Sequence, residues 1–240
     1  MIGIYLAAGV SGAHLNPAIS FTLSLYRGFP WRRCAVYIPA QLLGGLAGGA
    51  LAWAFHHDAI RHADPALSPT SPTGKAFFTA PQPFVSAQTA FFSEFAAAAV
   101  LVCAVLALGD DQNSPPGAGM NAFVVGLLVA LVQMALGGNT GPALNPARDL
   151  GPRLVALWAG YGREIFMNGW WVYGPWVATG TGACAGAAVY DAFVFVGAES
   201  PVNYLWPTKR ELVGKVKSGV RGRRGSGEWR RPDQVDAGKR

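Results

Sequence analysis

The chain has 240 residues, of which 51% are apolar and only 13% are charged. Soluble domains carry about 25% charged residues, so this composition argues against a soluble domain and predicts an α-helical protein with several membrane spans. The net charge of +6 does not indicate nucleic-acid binding, because 11 basic and four acidic residues are concentrated in 209–240. This uneven distribution predicts a basic, disordered cytosolic tail over 201–240 that obeys the positive-inside rule.

Taken in chain order, the apolar runs alternate between full spans and short helical stretches. A spanning helix needs about 20 residues, so the apolar start over 1–13 is too short to cross a bilayer. Two short helices are predicted at 17–25 and 146–157, each after a loop that contains glycine. The full spans are predicted at 34–55, 88–108, 120–136 and 170–196, and the Pro-rich stretch 56–88 is predicted to be a loop.

The most informative motif is the tripeptide Asn-Pro-Ala. It occurs twice, once at the start of each short helix. The two copies are Asn16, Pro17 and Ala18, and Asn145, Pro146 and Ala147. Each copy has Gly four residues before the Asn and Leu directly before it, which indicates an internal duplication. Asn suits a helix N-cap, and Pro suits the first helical turn. In a chain this apolar, the duplication predicts a membrane pore.

Two loops that enter the membrane from opposite sides would meet near its midplane, with their helix N-termini facing each other. The helix dipoles then place positive potential at the pore centre, which opposes cations and protons while neutral solutes pass. The alternative interpretation is two ordinary capped helices in a bundle. The candidate backbone carbonyl acceptors for a passing solute are those of Gly12, Ala13, His14, Thr140, Gly141 and Ala143.

Few charged residues fall within the predicted membrane segments. Arg148 lies in the first turn of a short helix, where a cation opposes the dipole; we predict that it lines a constriction and donates hydrogen bonds to substrate hydroxyls. A snorkelling or ion-paired Arg is the alternative. Glu94 is predicted to hold backbone N–H groups of the second loop, since a buried carboxylate needs donors. Asp149 is expected to have a structural role. His14 either orients the first loop or is a structural histidine whose hydrogen bonds are satisfied within the protein.

The two halves of the chain differ in completeness. By comparison of the repeats, the first would need roughly 40 further residues before Met1, so the first span and part of the second are expected to be missing. The predicted fold class is an all-α membrane protein, an inverted-repeat bundle with two re-entrant half-helices. We expect a channel domain over 1–200, comprising an incomplete first repeat (1–56), an extracellular loop (57–87) and a second repeat (88–200), followed by the tail (201–240).

The chain resembles the major intrinsic proteins, the aquaporin and aquaglyceroporin family, over 1–200. The stretch Gly-Val-Ser-Gly-Ala-His-Leu-Asn-Pro-Ala at 9–18 is similar to that of bacterial glycerol facilitators, and the second Asn-Pro-Ala continues into Arg148. The resemblance implies six spans and two half-helices, a pore in each subunit and a homotetramer in a lipid bilayer. It also implies location in the plasma membrane.

A few positions bear on the branch of this family. Asp149 and Pro175 are typical of glycerol-conducting members, whereas Trp176 is more like the water-selective ones. The predicted constriction departs from the facilitators, because Pro142 replaces their aromatic residue and Gln133 replaces a small residue. We therefore predict a passive channel for glycerol and other small neutral solutes, with water. A water-selective aquaporin and a non-conducting truncated subunit are the alternatives.

Other classes of function are not indicated by the sequence. There is no nucleophile–base constellation and no phosphate-binding loop, so we do not predict an enzyme. The three cysteines, Cys34, Cys103 and Cys184, form no metal-ligand spacing. No cofactor, metal or nucleic-acid partner is expected.

Overall fold

The structure is a computed structural model that describes residues 1–117, 119–197 and 200–203. The described residues are helical, with no β-strand among them, which agrees with the predicted fold class. From residue 204 onward the predicted basic tail lies outside the described residues. The helices are α1 (Ile2–Ser11), α2 (Pro17–Tyr26), α3 (Trp31–Ala63), α4 (Pro72–Phe77), α5 (Ala87–Leu108), α6 (Asn121–Leu136), α7 (Pro146–Ala159), α8 (Glu164–Met167), α9 (Trp170–Val172) and α10 (Thr179–Phe193), with a π-helical segment (Tyr173–Ala178) between α9 and α10.

Helix α3 is longer than the sequence predicted. It has 33 residues and is therefore about 50 Å long, which exceeds a hydrocarbon core of about 30 Å. The predicted end at residue 55 was wrong, because residues 56–63 contain no Gly or Pro and the helix continues to Asp64, which precedes Pro65 and takes a non-helical conformation. The predicted loop 56–88 also contains the short helix α4, which is capped by Ser71.

Helices α3 and α5 are the two that are long and apolar enough to cross a membrane within the described part of the chain. The predicted span 120–136 is the apolar helix α6, whose 16 residues rise about 24 Å. The predicted last span, 170–196, is helical as far as Phe193. It includes the π-helical segment. Pro175 lies in that segment and has no backbone N–H, which explains the departure from regular α-helical bonding.

Glycines allow two pairs of helices to cross closely. A Cβ atom at Gly45 of α3 would collide with the backbone of Ala147 in α7, and one at Gly182 of α10 would collide with that of Phe95 in α5. In contrast, Gly44, the residue before Gly45, has open space around it, so only one of these two adjacent glycines lies at the helix contact. The first crossing holds the short helix α7 against α3, and the second holds α10 against α5. Helix α2 packs against α3 and α10.

Candidate functional site

The two Asn-Pro-Ala motifs meet at the N-termini of α2 and α7. Asn16 caps α2, and its Oδ1 accepts a hydrogen bond from Ala18 N at 2.9 Å. Asn145 caps α7 in the same way, accepting from Ala147 N at 2.9 Å and from Arg148 N at 3.3 Å. Each side chain therefore satisfies N–H groups that the first helical turn leaves without an intrahelical partner.

Each Asn also reaches across to the other loop. Asn16 Nδ2 donates to the carbonyl oxygen of Leu144 at 2.7 Å, and Asn145 Nδ2 donates to that of Leu15 at 2.8 Å. The two short helices consequently begin beside each other, joined by a reciprocal pair of hydrogen bonds between side-chain amides and backbone carbonyls.

The backbone before each Asn adopts the same left-handed conformation in both copies. Leu15 has φ of 52° and Leu144 has φ of 53°, values that cost a non-glycine residue about 1–2 kcal/mol. Gly12 and Gly141, four residues before each Asn, also have positive φ and take this conformation without that cost. The duplicated Gly and Leu thus turn each loop so that its last carbonyl accepts the opposite Asn.

A cavity of about 1070 Å³ lies beside this junction. Both motif asparagines, Asn16 and Asn145, line it. Of the other predicted site residues, those that line the cavity are Gly12, Ala13, His14, Gln133, Ala143 and Arg148. The motif residues Pro17, Ala18, Pro146 and Ala147 are buried in the helices behind the asparagines.

Three of the residues predicted to form the constriction or to supply carbonyl acceptors do not line this cavity. Thr140 is buried, and its carbonyl accepts from Ala80 N at 3.3 Å, so that acceptor already has a protein partner. Pro142 is buried and its ring lies against Gly137, while Gly141 is exposed. The structure therefore does not bring Pro142 to the cavity wall beside Arg148 and Gln133.

Glu94 of α5 holds the second loop. Its carboxylate accepts from Ala143 N at 3.0 Å, from Leu144 N at 3.2 Å and from the Thr140 hydroxyl at 2.7 Å. The side chain is fully buried, and these donors compensate for the loss of water around its oxygens. These are the backbone N–H groups of the loop that the sequence analysis assigned to Glu94.

Arg148 is half-buried in the first turn of α7 and lines the cavity. One guanidinium nitrogen, Nη1, donates to the carbonyl oxygen of Phe77 at 3.4 Å. Phe77 is the last residue of α4, which lies in the connection between α3 and α5. This connection therefore contacts Arg148 beside the cavity. No functional residue was predicted in this connection.

Arg153, a fully buried cation in α7, was not among the predicted site residues. It forms an ion pair with Asp149, with Nε 2.8 Å from Oδ2. Asp149 in turn accepts from both the backbone N and the Oγ of Thr79, at 2.7 and 2.6 Å. The four-residue spacing of Asp149 and Arg153 on one helix was the available signal, because residues at i and i+4 lie on the same face.

His14 belongs to a second polar network, around the first short helix. Its Nδ1 lies 3.0 Å from the hydroxyl of Ser20, which also accepts from Gln41 Nε2 at 2.9 Å. The imidazole packs against the rings of Phe29 and Tyr37, with centroid distances of 4.5 and 5.3 Å. His14, itself in the first loop, therefore contacts both α2 and α3.

Charged residues at the ends of the helices line one mouth of the cavity. Arg27, directly after α2, donates to both carboxylate oxygens of Asp191 in α10, at 2.9 and 2.6 Å. Asp110, after α5, accepts from Tyr190 Oη at 2.6 Å and from Gln112 N at 2.9 Å. These hydrogen bonds, the one from Tyr190 above all, lower the pKa of Asp110 below its ordinary value.

The described residues contain no group of three or more His, Cys, Asp or Glu side chains arranged to hold a metal ion. Besides charged side chains such as Arg27 and Asp110, the polar groups that line the cavity include the side-chain amides of Asn16, Gln133 and Asn145, backbone carbonyls and the guanidinium of Arg148. This set can donate and accept hydrogen bonds with a neutral polyhydroxyl molecule or with water.

Comparison with known proteins gives a consistent family. The family model described as "Major intrinsic protein" matches residues 1–190. The chain is 52% identical to "Probable aquaglyceroporin-4" of Gibberella zeae over 205 residues, covering 85% of this chain and 37% of that protein. It is 46% identical to "Aquaglycerol porin AQY3" of Saccharomyces cerevisiae over 208 residues, covering 85% of this chain and 32% of that protein.

A solved structure has the same fold. The aquaglyceroporin from Plasmodium falciparum superposes with a TM-score of 0.72 at 33% identity, covering 80% of this chain and 77% of that chain. The chain spans only about a third of the length of the two fungal relatives named above. The family match nevertheless covers most of this chain and includes both Asn-Pro-Ala motifs. The chain therefore belongs to the major intrinsic protein family.

Proposed function

We propose that this chain forms a passive transmembrane pore for glycerol and other small neutral solutes, together with water. The observation that carries the proposal is the reciprocal pair of hydrogen bonds that joins Asn16 and Asn145 to the opposite loops beside a large cavity. Non-helical backbone at membrane depth is tolerated only where protein buries it or where it lines water. The proposal assigns no enzymatic activity to the chain.

Each motif Asn retains a hydrogen-bond donor for a solute. A side-chain amide carries two N–H groups, and one of them is directed at the opposite Leu carbonyl. The second N–H of Asn16 and of Asn145 is left to donate to a passing hydroxyl or water oxygen. Carbonyls of the cavity-lining residues Gly12, Ala13, His14 and Ala143 would accept from the same molecule, so a neutral solute exchanges its water contacts for protein contacts.

Cations and protons would be opposed at the same place. The N-termini of α2 and α7 each carry roughly half a positive elementary charge from their helix dipoles. Arg148 adds a full positive charge at the wall of the cavity, one turn into α7. A neutral solute meets no such electrostatic barrier, so we propose Arg148 and Gln133 as parts of the selectivity constriction.

Two observations favour glycerol among the neutral solutes. Similar fungal proteins are named aquaglyceroporins, and the similar structure is that of an aquaglyceroporin. In addition, Asp149 occupies the position after the pore Arg that is typical of the glycerol-conducting branch. We extend this solute class to the present chain as part of the proposal.

The surroundings of the pore follow from the same family membership. Large apolar side chains are exposed on the outside of the bundle, for example Leu6, Phe55 and Phe193, which suits contact with lipid. We propose a homotetramer in the plasma membrane. The basic residues at 209–240, with Arg27, Arg32 and Arg33, would place the first short-helix loop and the C-terminus on the cytosolic side.

Flux measurements in liposomes that contain the full chain test this function. We expect rapid glycerol and water flux by stopped-flow light scattering, and loss of most glycerol flux on Arg148→Ala or Asn145→Ala. Arg163→Ala, at an exposed arginine after α7, is the matched control and should conduct like the wild type. Water flux without glycerol flux would favour the water-selective alternative. Flux of neither solute would contradict the proposal and favour a non-conducting subunit.

A further inference from the structure

Arg153 forms a complete set of contacts although it lies behind the cavity wall. Its Nη2 donates to the carbonyl of Thr79 at 2.7 Å and to Asp149 Oδ1 at 2.9 Å, and its Nη1 donates to the carbonyl of Ile165 at 2.6 Å. The guanidinium also lies 4.9 Å from the centre of the Phe78 ring. A charge this deeply buried is costly unless it is paired and hydrogen-bonded, and here each of the three guanidinium nitrogen atoms donates at least one hydrogen bond.

Thr79 is held at each of its polar atoms. Its backbone N and its Oγ both donate to Asp149 Oδ1, its carbonyl accepts from Arg153, and its Oγ also accepts from Trp170 Nε1 at 3.1 Å. Thr79 and Trp170 are fully buried. We call these four residues, Thr79, Asp149, Arg153 and Trp170, the Arg153 cluster.

Two short segments of the chain connect the Arg153 cluster to the cavity. Asp149 is the next residue after Arg148, which lines the cavity. Thr79 follows Phe77 by two residues, and the intervening Phe78 is extended and fully buried. The carbonyl of Phe77 accepts from Arg148, so the same two chain segments that meet in the cluster meet again at the cavity.

We propose that Arg153 is a positioning residue for the constriction: through Thr79 it fixes the Phe77 carbonyl against Arg148 and thereby sets the size of neutral solute that passes. This inference rests on the proposed pore function. Arg153 itself does not touch the solute, because it is not among the residues that line the cavity. If the Phe77 carbonyl moves away, Arg148 loses a partner and its guanidinium is free to take another rotamer across the opening.

Thr79 offers the sharpest substitution. Thr79→Val removes the hydroxyl that joins Asp149 to Trp170 but keeps the shape and the backbone N–H, whereas Thr79→Ser keeps the hydroxyl. Thr22→Val is the matched control, because Thr22 is also a fully buried threonine and its hydroxyl contacts Cys184 on α10 instead. Arg153→Lys keeps the charge next to Asp149 but lacks the planar fork that reaches Thr79 and Ile165.

The first measurement is the ratio of glycerol to erythritol permeability in liposomes, since a ratio does not depend on how many channels are active. We expect Thr79→Val and Arg153→Lys to change this ratio by about threefold to tenfold, the range that corresponds to one or two lost hydrogen bonds. Thr79→Ser and Thr22→Val should keep the wild-type ratio. An unchanged ratio in Thr79→Val and Arg153→Lys, or an equal change in Thr22→Val, would overturn the positioning role.

A second measurement reports the position of the Phe77 carbonyl without requiring flux. The chain contains two Phe-Phe pairs, at 77–78 and 91–92, so labelling with carbonyl-¹³C Phe and ¹⁵N Phe yields correlated solid-state NMR signals for the Phe77 and Phe91 carbonyls. Arg153→Lys and Thr79→Val should each shift the Phe77 signal and leave that of Phe91, in α5, as an internal reference. An unchanged Phe77 signal in Arg153→Lys refutes the positioning role whatever the flux. A shifted signal without any wild-type flux refutes the proposed function but keeps the positioning of the Phe77 carbonyl by the Arg153 cluster.

Discussion

The side-chain amide of Asn16 lies 2.7 Å from the carbonyl oxygen of Leu144, a residue 128 positions later in the chain. The equivalent bond from Asn145 to Leu15 runs in the opposite direction at 2.8 Å. Each Asn therefore does two things at once: its oxygen caps its own helix, and its nitrogen fixes the opposite loop. Among the common N-cap residues, Asn alone carries its acceptor and its N–H donors on two different side-chain atoms, so it can cap its own helix and donate across the loop at the same time.

Substitutions at Asn16 should separate these two roles. Asn16→Ser keeps a good N-cap acceptor for Ala18 N but cannot reach Leu144, so we expect a loss of about 0.5–1.5 kcal/mol of stability from the missing cross-loop hydrogen bond. Asn16→Ala removes the cap as well and should cost a further ~1 kcal/mol. Unfolding in detergent by both heat and denaturant measures the difference. Equal stability of the two variants would show that the cap contributes nothing.

The crossing of α3 and α7 makes a prediction with a control on the same helix. Gly45→Ala places a methyl group against the backbone of Ala147 and Gly151, and overpacking of this kind costs about 1–3 kcal/mol. Gly44→Ala adds the same methyl group one residue earlier, where there is open space, and should be neutral or slightly stabilising because Ala is the better helix former. The unfolding temperature should therefore fall in Gly45→Ala and stay the same or rise slightly in Gly44→Ala. Similar unfolding temperatures would contradict the close approach of the helices.

Glu94 should be sensitive to loss of its second acceptor oxygen. Glu94→Gln replaces one carboxylate oxygen by an NH₂ group that faces donors in the loop. Ala143 N donates to both oxygens and keeps one acceptor, but either Leu144 N or the Thr140 hydroxyl loses its acceptor, at a cost of about 1–3 kcal/mol. Glu164→Gln, at an exposed glutamate, is the control and should unfold like the wild type. A limited proteolysis assay of the loop between α6 and α7, alongside unfolding, would locate the effect. Wild-type stability of Glu94→Gln would argue against this anchoring role.

The pH dependence of stability should report the contact between Asp110 and Tyr190. Because hydrogen bonds to its ionised form lower the pKa of Asp110 in the folded protein, this group stabilises the fold above its ordinary pKa of 3.8, and the stabilisation is lost as pH falls through the lower folded value. Tyr190→Phe removes the hydroxyl donor and should reduce the part of the acid destabilisation that belongs to Asp110. Unfolding temperatures between pH 3 and 7 measure this, with Tyr173→Phe as the control. An identical acid profile in Tyr190→Phe would contradict the assignment.

Several features of this protein were determined by the sequence itself. The start of each short helix follows from an Asn cap and a Pro in the first turn, and both helices begin where the sequence predicted, at Pro17 and Pro146. The family and fold class follow from the duplicated motif and the apolar runs. These signals are local, because caps, turns and apolar periodicity involve residues within a few positions of each other.

The tertiary structure alone decided which distant groups meet. Nothing near Arg153 in the sequence indicates that its guanidinium binds the carbonyl of Thr79, 74 residues earlier, or that Phe77 faces Arg148. The same holds for the choice between Gly44 and Gly45, since adjacent glycines look equivalent in sequence and only one faces α7. Hydrogen bonds and close packing between remote segments depend on how whole helices cross, and the free energy of that crossing is shared among many residues rather than encoded in a short pattern.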